Sequence, residues 1–170
     1  EVGTYNGKRA GDLCRYWREQ TDGRFHYIGF DLFEDLTPEM SKAELSKSTL
    51  PPSKGEVEVT LRKAGANVIT LIKGNTRETI PAFVETMNGS VIPDLIFVDG
   101  GHSLETIDSD WAALSQIVGP NTYVVFDDYY ENKDDYGCKQ LITRLKADAD
   151  YTVELLTPVD KPASTGLHIR

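Results

Sequence analysis

Apolar positions along the chain alternate between two spacings. Short continuous runs rich in Val, Ile and Phe occupy His26 to Phe30, Val68 to Ile72, Asp94 to Val98, Thr122 to Phe126 and Tyr151 to Leu156. Runs of this length that are apolar throughout predict strands covered on both faces, because successive side chains on a strand point to opposite sides. Between the runs, apolar residues fall at i, i+3, i+4 and i+7. Ala10, Leu13, Cys14 and Trp17 form one such stripe, Ile80, Phe83, Val84 and Met87 a second, and Cys138, Leu141, Ile142 and Leu145 a third. Leu104, Ile107, Trp111, Leu114 and Val118 stripe a further helix, with Ser103 placed to cap it. Strand–helix alternation predicts a parallel sheet, and right-handed crossovers restrict it to a doubly wound α/β fold with helices on both faces.

Two segments depart from this rhythm. Glu34 to Lys54 is polar and contains Pro51-Pro52. It predicts a long loop, with a short helix over Pro38 to Ser46, of the kind that often serves as a lid. Glu56 to Leu61 alternates Val57, Val59 and Leu61 and reads locally as a strand, but the architecture requires a helix there, and a helix is the expectation. No internal repeat or low-complexity tract is visible. A chain of 170 residues predicts one domain spanning 1–170. It is long enough to bury roughly two thirds of its unfolded surface without a disulfide or metal.

The longest apolar runs, such as Leu95 to Val98 and Tyr123 to Phe126, fall far below the ~20 residues of a membrane-spanning helix. No signal peptide is visible. The chain opens on Glu1-Val2-Gly3, which reads as the end of a buried strand, so the start of the first strand and any lid before it are expected to be missing. Cys14 and Cys138 read as free thiols in a reducing cytoplasm. With 18 Lys and Arg against 27 Asp and Glu, the net charge is −9. That balance argues against nucleic-acid and anionic-membrane partners, which need a basic footprint. It leaves open a cationic ligand, or a metal bridging to an anionic one.

Doubly wound sheets bind ligands at the carboxyl ends of their strands, and the residues there are unusual. Glu1-Val2-Gly3-Thr4-Tyr5-Asn6-Gly7 joins the first strand to the first helix. Its G-x-x-x-G spacing allows close approach of a ligand to the backbone, but is not the G-x-G-x-x-G of a dinucleotide site. Asp31 ends a strand and can accept from both hydroxyls of a ribose; capping a helix is its alternative. In Gly74-Asn75-Thr76, Thr76 suits an N-cap and Asn75 offers an amide to a purine edge.

Asp99-Gly100-Gly101-His102 and Asp127-Asp128 are the most informative constellation. If their strands pair, three carboxylates become neighbours, and a bound cation or a shared proton relieves the repulsion. Oxygen ligands suit Mg²⁺, Ca²⁺ or Mn²⁺. Asp127 and Asp128 point to opposite faces unless the strand ends or turns there; a helix cap and a solvated acid are the alternative. His102 is a general base, a metal ligand or a loop residue bonded to backbone. His26 and His168, inside strand-like runs, read as structural. Tyr129 and Tyr130 either wall a pocket or cover a sheet edge, and Lys133 and Asp134-Asp135 read as a solvated loop.

These residues resemble those of class I S-adenosylmethionine-dependent methyltransferases, and more narrowly the macrocin O-methyltransferase-like group. The resemblance rests on Glu1 to Gly7, Tyr27-Ile28-Gly29-Phe30-Asp31, Asp94 to Ser103 and Val124-Val125-Phe126-Asp127-Asp128-Tyr129. The closing Thr165 to Arg170 also looks like that family's last strand. It implies a Rossmann-like, mostly parallel seven-stranded sheet with the last strand antiparallel. It implies that Glu1, Gly3 and Gly7 line the methionine portion of the cofactor, with Thr4 and Tyr5 in the same turn. Asp31 would hold the ribose beside Leu32, and Asn75 would lie near the adenine beside Thr76. Asp99, Asp127 and Asp128 would hold Mg²⁺, Asp99 would also border the cofactor and act as base, and His102 would stand in the same catalytic pocket.

The expected activity is therefore Mg²⁺-assisted methyl transfer from S-adenosylmethionine to a hydroxyl of a sugar or small natural product. A nicotinamide-dependent reductase is disfavoured by the missing glycine fingerprint. An Asp-nucleophile phosphotransferase lacks its D-x-D spacing. A non-catalytic nucleoside-binding module would use Asp31 but no metal. The expected partner is a small hydroxylated acceptor, with no nucleic acid and no membrane; a homo-oligomer is left open.

Overall fold

The computed structural model describes residues 1–45 and 50–156, and the backbone of 165–169. Ser46, where the expected short helix ends, Arg170 and the His168 side chain lie outside the described residues. The chain forms two compact units, 1–79 and 80–170.

In the first unit, helix α1 (Lys8–Gln20) leads into strand β1 (His26–Asp31) and a single 3₁₀ turn (Phe33–Asp35). Helices α2 (Pro38–Leu45) and α3 (Lys54–Lys63) follow, then strand β2 (Val68–Lys73) and the start of α4 (Thr76–Met87). β1 and β2 pair in parallel, with Asp31 opposite Lys73 at their carboxyl ends. Ala10 and Cys14 of α1, Val57 and Leu61 of α3, Tyr27, Phe33 and Leu71 form the core. Burying each larger apolar side chain contributes about 1.5–3 kcal/mol.

The alternating Val57-Val59-Leu61 segment is a helix. Val57 and Leu61, four apart, share its buried face, while Val59 is exposed. Its start is set by a capping box: Ser53 accepts from the Glu56 amide, and the Glu56 carboxylate accepts from the Ser53 amide.

In the second unit, β3 (Leu95–Val98), α5 (Leu104–Leu114), a 3₁₀ turn (Ser115–Ile117) and β4 (Tyr123–Tyr129) precede α6 (Lys139–Ala147), β5 (Val153–Leu156) and β6 (Thr165–Ile169). The strand order is β3-β4-β6-β5. β3 and β4 are parallel, and β6 is antiparallel to both its neighbours. Ser103 caps α5 by accepting from the Thr106 amide. The α5 stripe stops short of Val118, because the backbone tightens into the 3₁₀ turn and buries Ile117 instead.

The described residues hold six strands, not seven. Beside β1 only Val2 forms a bridge, to Phe30, so Glu1 to Gly3 is too short to count as a strand. No helix among the described residues is long and apolar enough to cross a membrane.

Candidate functional site

The first unit carries the candidate cofactor residues other than Asp99. At the end of β1, the Asp31 carboxylate accepts from the Tyr5 amide at 2.6 Å on one oxygen and the Phe33 amide at 2.8 Å on the other. Tyr5 and Phe33 both hold positive φ, 49° and 50°, a region that non-glycine residues enter at a cost. Asp31 thus ties the Gly3–Gly7 turn to the chain leaving β1.

Gly7 ends that turn at φ 71° as the N-terminal cap of α1, where an added Cβ would lie 3.1 Å from Val57 Cγ1. Thr4 is buried and Tyr5 exposed. The Glu1 carboxylate, 2% exposed, accepts from Arg9 Nε at 3.1 Å and from the Tyr27 hydroxyl. Arg9 was not singled out in the sequence, and Tyr27 entered only as the first residue of the Tyr27-Ile28-Gly29-Phe30-Asp31 motif, with no role of its own.

Leu32 is half-buried at the head of the 3₁₀ turn. Asn75, not Thr76, caps α4: its Oδ1 accepts from the Arg77 amide at 3.1 Å, and Thr76 is the first helical residue. The helix thus engages the oxygen of the Asn75 side-chain amide.

The second unit brings together Asp99, His102 and Asp128. One ligand atom from each lies within 4.8 Å of the other two. His102 Nε2 is 2.6 Å from Asp128 Oδ2 and 3.9 Å from Asp99 Oδ1. On the far side of the ring, Nδ1 is 2.8 Å from the Tyr136 hydroxyl. The Tyr130 hydroxyl donates to the second oxygen of Asp128. Burial alone opposes charge on the His102 ring, but the hydrogen bonds to Asp128 and Asp99 outweigh it and push the ring up to about 10. Burial likewise opposes the Asp128 carboxylate, and the bonds from His102 and Tyr130 bring it down to about 2.

Asp127 is not in this cluster; its Oδ1 accepts from the Asp128 amide at 2.9 Å. The separation has a backbone cause. The β4–β6 register shifts between Phe126 and Tyr129, and Asp128 takes φ 58°. A bulge of this kind re-aims a side chain at a sheet edge. The group whose ligand atoms come together is therefore Asp99, His102 and Asp128, while Asp127 lines the same cleft.

A cleft beside the cluster is lined by Val98, Ile107 and Phe126 as well as Asp99, His102 and Asp128. Its rim is held by Gly137, whose amide donates to the His102 carbonyl at 2.9 Å. Gly137 has φ 82°, and a Cβ there would lie 2.3 Å from the Asp128 carbonyl oxygen. Tyr136 and Gly137 gave no sequence signal, as they sit in a polar loop that reads as solvated.

A family model described as a methyltransferase domain matches residues 1–129, and the chain belongs to that methyltransferase family. No curated protein matches it. Among solved structures it is similar to apo CalS11, a TDP-rhamnose 3′-O-methyltransferase of calicheamicin biosynthesis: 17% identity, 98% of this chain and 69% of that one, TM-score 0.64. It is also similar to the O-methyltransferase TomG from Streptomyces achromogenes in complex with SAM, at 16% identity over 95% and 78% of the two chains, TM-score 0.56. MycE, from the mycinamycin biosynthetic pathway, solved with Mg and SAH, matches at 13% identity over 93% of this chain and 48% of that one, TM-score 0.50. These likenesses show a shared Rossmann-like fold.

Proposed function

We propose that the chain transfers the methyl group of S-adenosylmethionine to a hydroxyl of a sugar or small natural product, assisted by Mg²⁺ or a similar divalent cation. The observation that carries this reading is the Asp99–His102–Asp128 cluster in a chain of methyltransferase family. CalS11 acting on a sugar hydroxyl and MycE holding Mg and SAH support it.

The two carboxylates and the ring nitrogen suit a divalent cation that accepts both oxygen and nitrogen. Asp99, His102 and Asp128 would hold it, and its chemistry would be to lower the pKa of a coordinated hydroxyl. Asp99 takes the hydroxyl proton as general base. The acceptor oxygen bonds to the methyl carbon as the carbon–sulfur bond breaks, and S-adenosylhomocysteine leaves with the sulfur lone pair. Asp31, Leu32 and the Gly3–Gly7 turn take the cofactor, with Asn75 and Thr76 at its adenine end; the in-line alignment they provide is the rest of the catalysis. The two buried free thiols fit a reducing cytoplasm.

Calorimetric titration of the full-length protein with S-adenosylmethionine, with and without Mg²⁺, comes first, followed by S-adenosylhomocysteine release over a panel of hydroxylated acceptors. Asp128→Asn weakens Mg²⁺ stimulation while leaving cofactor affinity nearly intact. Equal loss of both removes this division of labour, and no cofactor binding at all discards the reading.

A further inference from the structure

The segment between β4 and α6 returns to the cluster with two hydroxyls. Tyr130 meets Asp128 and Tyr136 meets His102, so each member of the 2.6 Å His102–Asp128 pair is held from behind by one tyrosine. The arrangement closes on itself. The Tyr130 and Tyr136 rings stand 5.9 Å apart, and the Lys133 ammonium lies over both, 4.5 and 4.7 Å from their centroids. The Tyr136 ring also meets the His102 ring edge-on at 5.2 Å. Next to it, the Gly137 amide fixes the His102 backbone at its carbonyl.

We propose that Tyr136 is a positioning residue for the methyl transfer inferred above, acting through His102: its hydroxyl fixes the imidazole so that Nε2 faces Asp99 and Asp128. The role rests on that reading of the site. A ring nitrogen opposite a reactive or cation-binding nitrogen needs a partner to set its orientation. A carboxylate in this place only accepts. A hydroxyl donates as well as accepts, so Tyr136 pairs with Nδ1 whether or not that nitrogen carries a hydrogen. The edge-on ring contact carries no hydrogen bond to Nδ1, which the hydroxyl supplies at 2.8 Å.

The test compares wild type with Tyr136→Phe, which keeps the ring and removes the oxygen. Long-range ¹H–¹⁵N NMR of the histidine-labelled full chain reads the ring nitrogens; the chain has 3 His, and His102→Asn assigns the signal. Calorimetry reads Mn²⁺ and S-adenosylmethionine. The expected result is a displaced His102 Nδ1 resonance and Mn²⁺ affinity lower by roughly 10–100-fold, with cofactor affinity unchanged. Nδ1 and Mn²⁺ affinity both staying at wild-type values overturns the proposal while leaving methyl transfer in place. Wild-type protein that takes up neither Mn²⁺ nor cofactor removes the methyl-transfer reading itself, and the role of Tyr136 with it. A second measurement needs no variant: nuclear Overhauser contact between the Tyr136 and His102 rings in wild type is expected, and its absence overturns the proposal.

Discussion

The Tyr5 amide donates to Asp31 at 2.6 Å while Tyr5 itself sits at φ 49°. Phe33, the other amide donor to Asp31, is in the same unfavourable region at φ 50°. One carboxylate thus stabilises two left-handed backbone positions on either side of β1. Asp31→Asn replaces one acceptor oxygen with an NH₂ that faces a backbone N–H. We expect it to lower stability by about 1.5–3 kcal/mol, the range for a hydrogen bond to a charged group, and to weaken S-adenosylmethionine binding. Thermal unfolding and calorimetry on the same variant check this. A variant with unchanged stability and reduced binding restricts Asp31 to ligand contact.

Two glycines make a matched pair of opposite sign. At Gly137, φ is 82° and a Cβ would stand 2.3 Å from a backbone oxygen; at Gly55, inside α3, nothing lies within 4 Å. Gly137→Ala is expected to destabilise by more than about 1 kcal/mol, since both strain and overlap oppose it. Gly55→Ala is expected to stabilise by about 0.4–1 kcal/mol by restricting the unfolded chain. Urea unfolding of both variants decides; a stable Gly137→Ala protein contradicts the close packing of the 130–137 segment on Asp128.

Glu34 gives the chain an acid-sensitive contact. Its carboxylate accepts from the Lys54 amide at 2.8 Å and from Lys73 Nζ at 3.1 Å. The Lys54 amide first, and Lys73 after it, hold this carboxylate down to about 2 from an ordinary 4.5. A carboxylate depressed on folding adds stability above its unfolded value and loses it as pH falls through the folded one. The stability gap between wild type and Glu34→Gln is therefore full above about pH 5 and closes toward pH 2. Added salt narrows it, because the pair is exposed. Denaturant titrations at pH 6, 4, 3 and 2.5 measure the gap; a constant gap rules the contact out.

Both cysteines are buried and free. Burial first, then the nearby Glu1 carboxylate, pushes Cys14 up to about 11, and burial with the Asp128 carboxylate pushes Cys138 up to about 12. Cys138 also donates to the Asp127 carbonyl at 3.2 Å. The thiolate is the reactive form, so neither residue should react with Ellman's reagent at pH 8 until the protein is denatured. Rapid labelling of one thiol in native protein would show that its unit opens.

Strands and helices were legible because their apolar spacing is local. The α3 segment was ambiguous by pattern, and the Ser53–Glu56 capping box settles it through a signal that alternation hides. Asp99, His102 and Asp128 were legible as chemistry, since strand ends concentrate it. That Asp127 and Asp128 diverge was legible from strand alternation; which of the two meets His102 was not, because the β4–β6 register shifts between Phe126 and Tyr129 against a strand about forty residues away in sequence. Tyr136 was invisible for a related reason. Its hydroxyl reaches His102 across 34 positions, and nothing in a polar loop marks which of its side chains turns inward. Asn75 and Thr76 show a smaller failure, one residue of cap register.

The β3-β4-β6-β5 order also governs how this chain is made. β6 follows β4 and β5 in the chain, yet it fits between them, and β4 pairs with it beside the register shift at Asp128. On the ribosome, β4 and β5 wait with unsatisfied edges until residue 169 has cleared the exit tunnel. The geometry around Asp128 is thus completed only once β6 has been made, so a chain that ends before β6 is expected to leave the facing edges of β4 and β5 open to pairing with other chains.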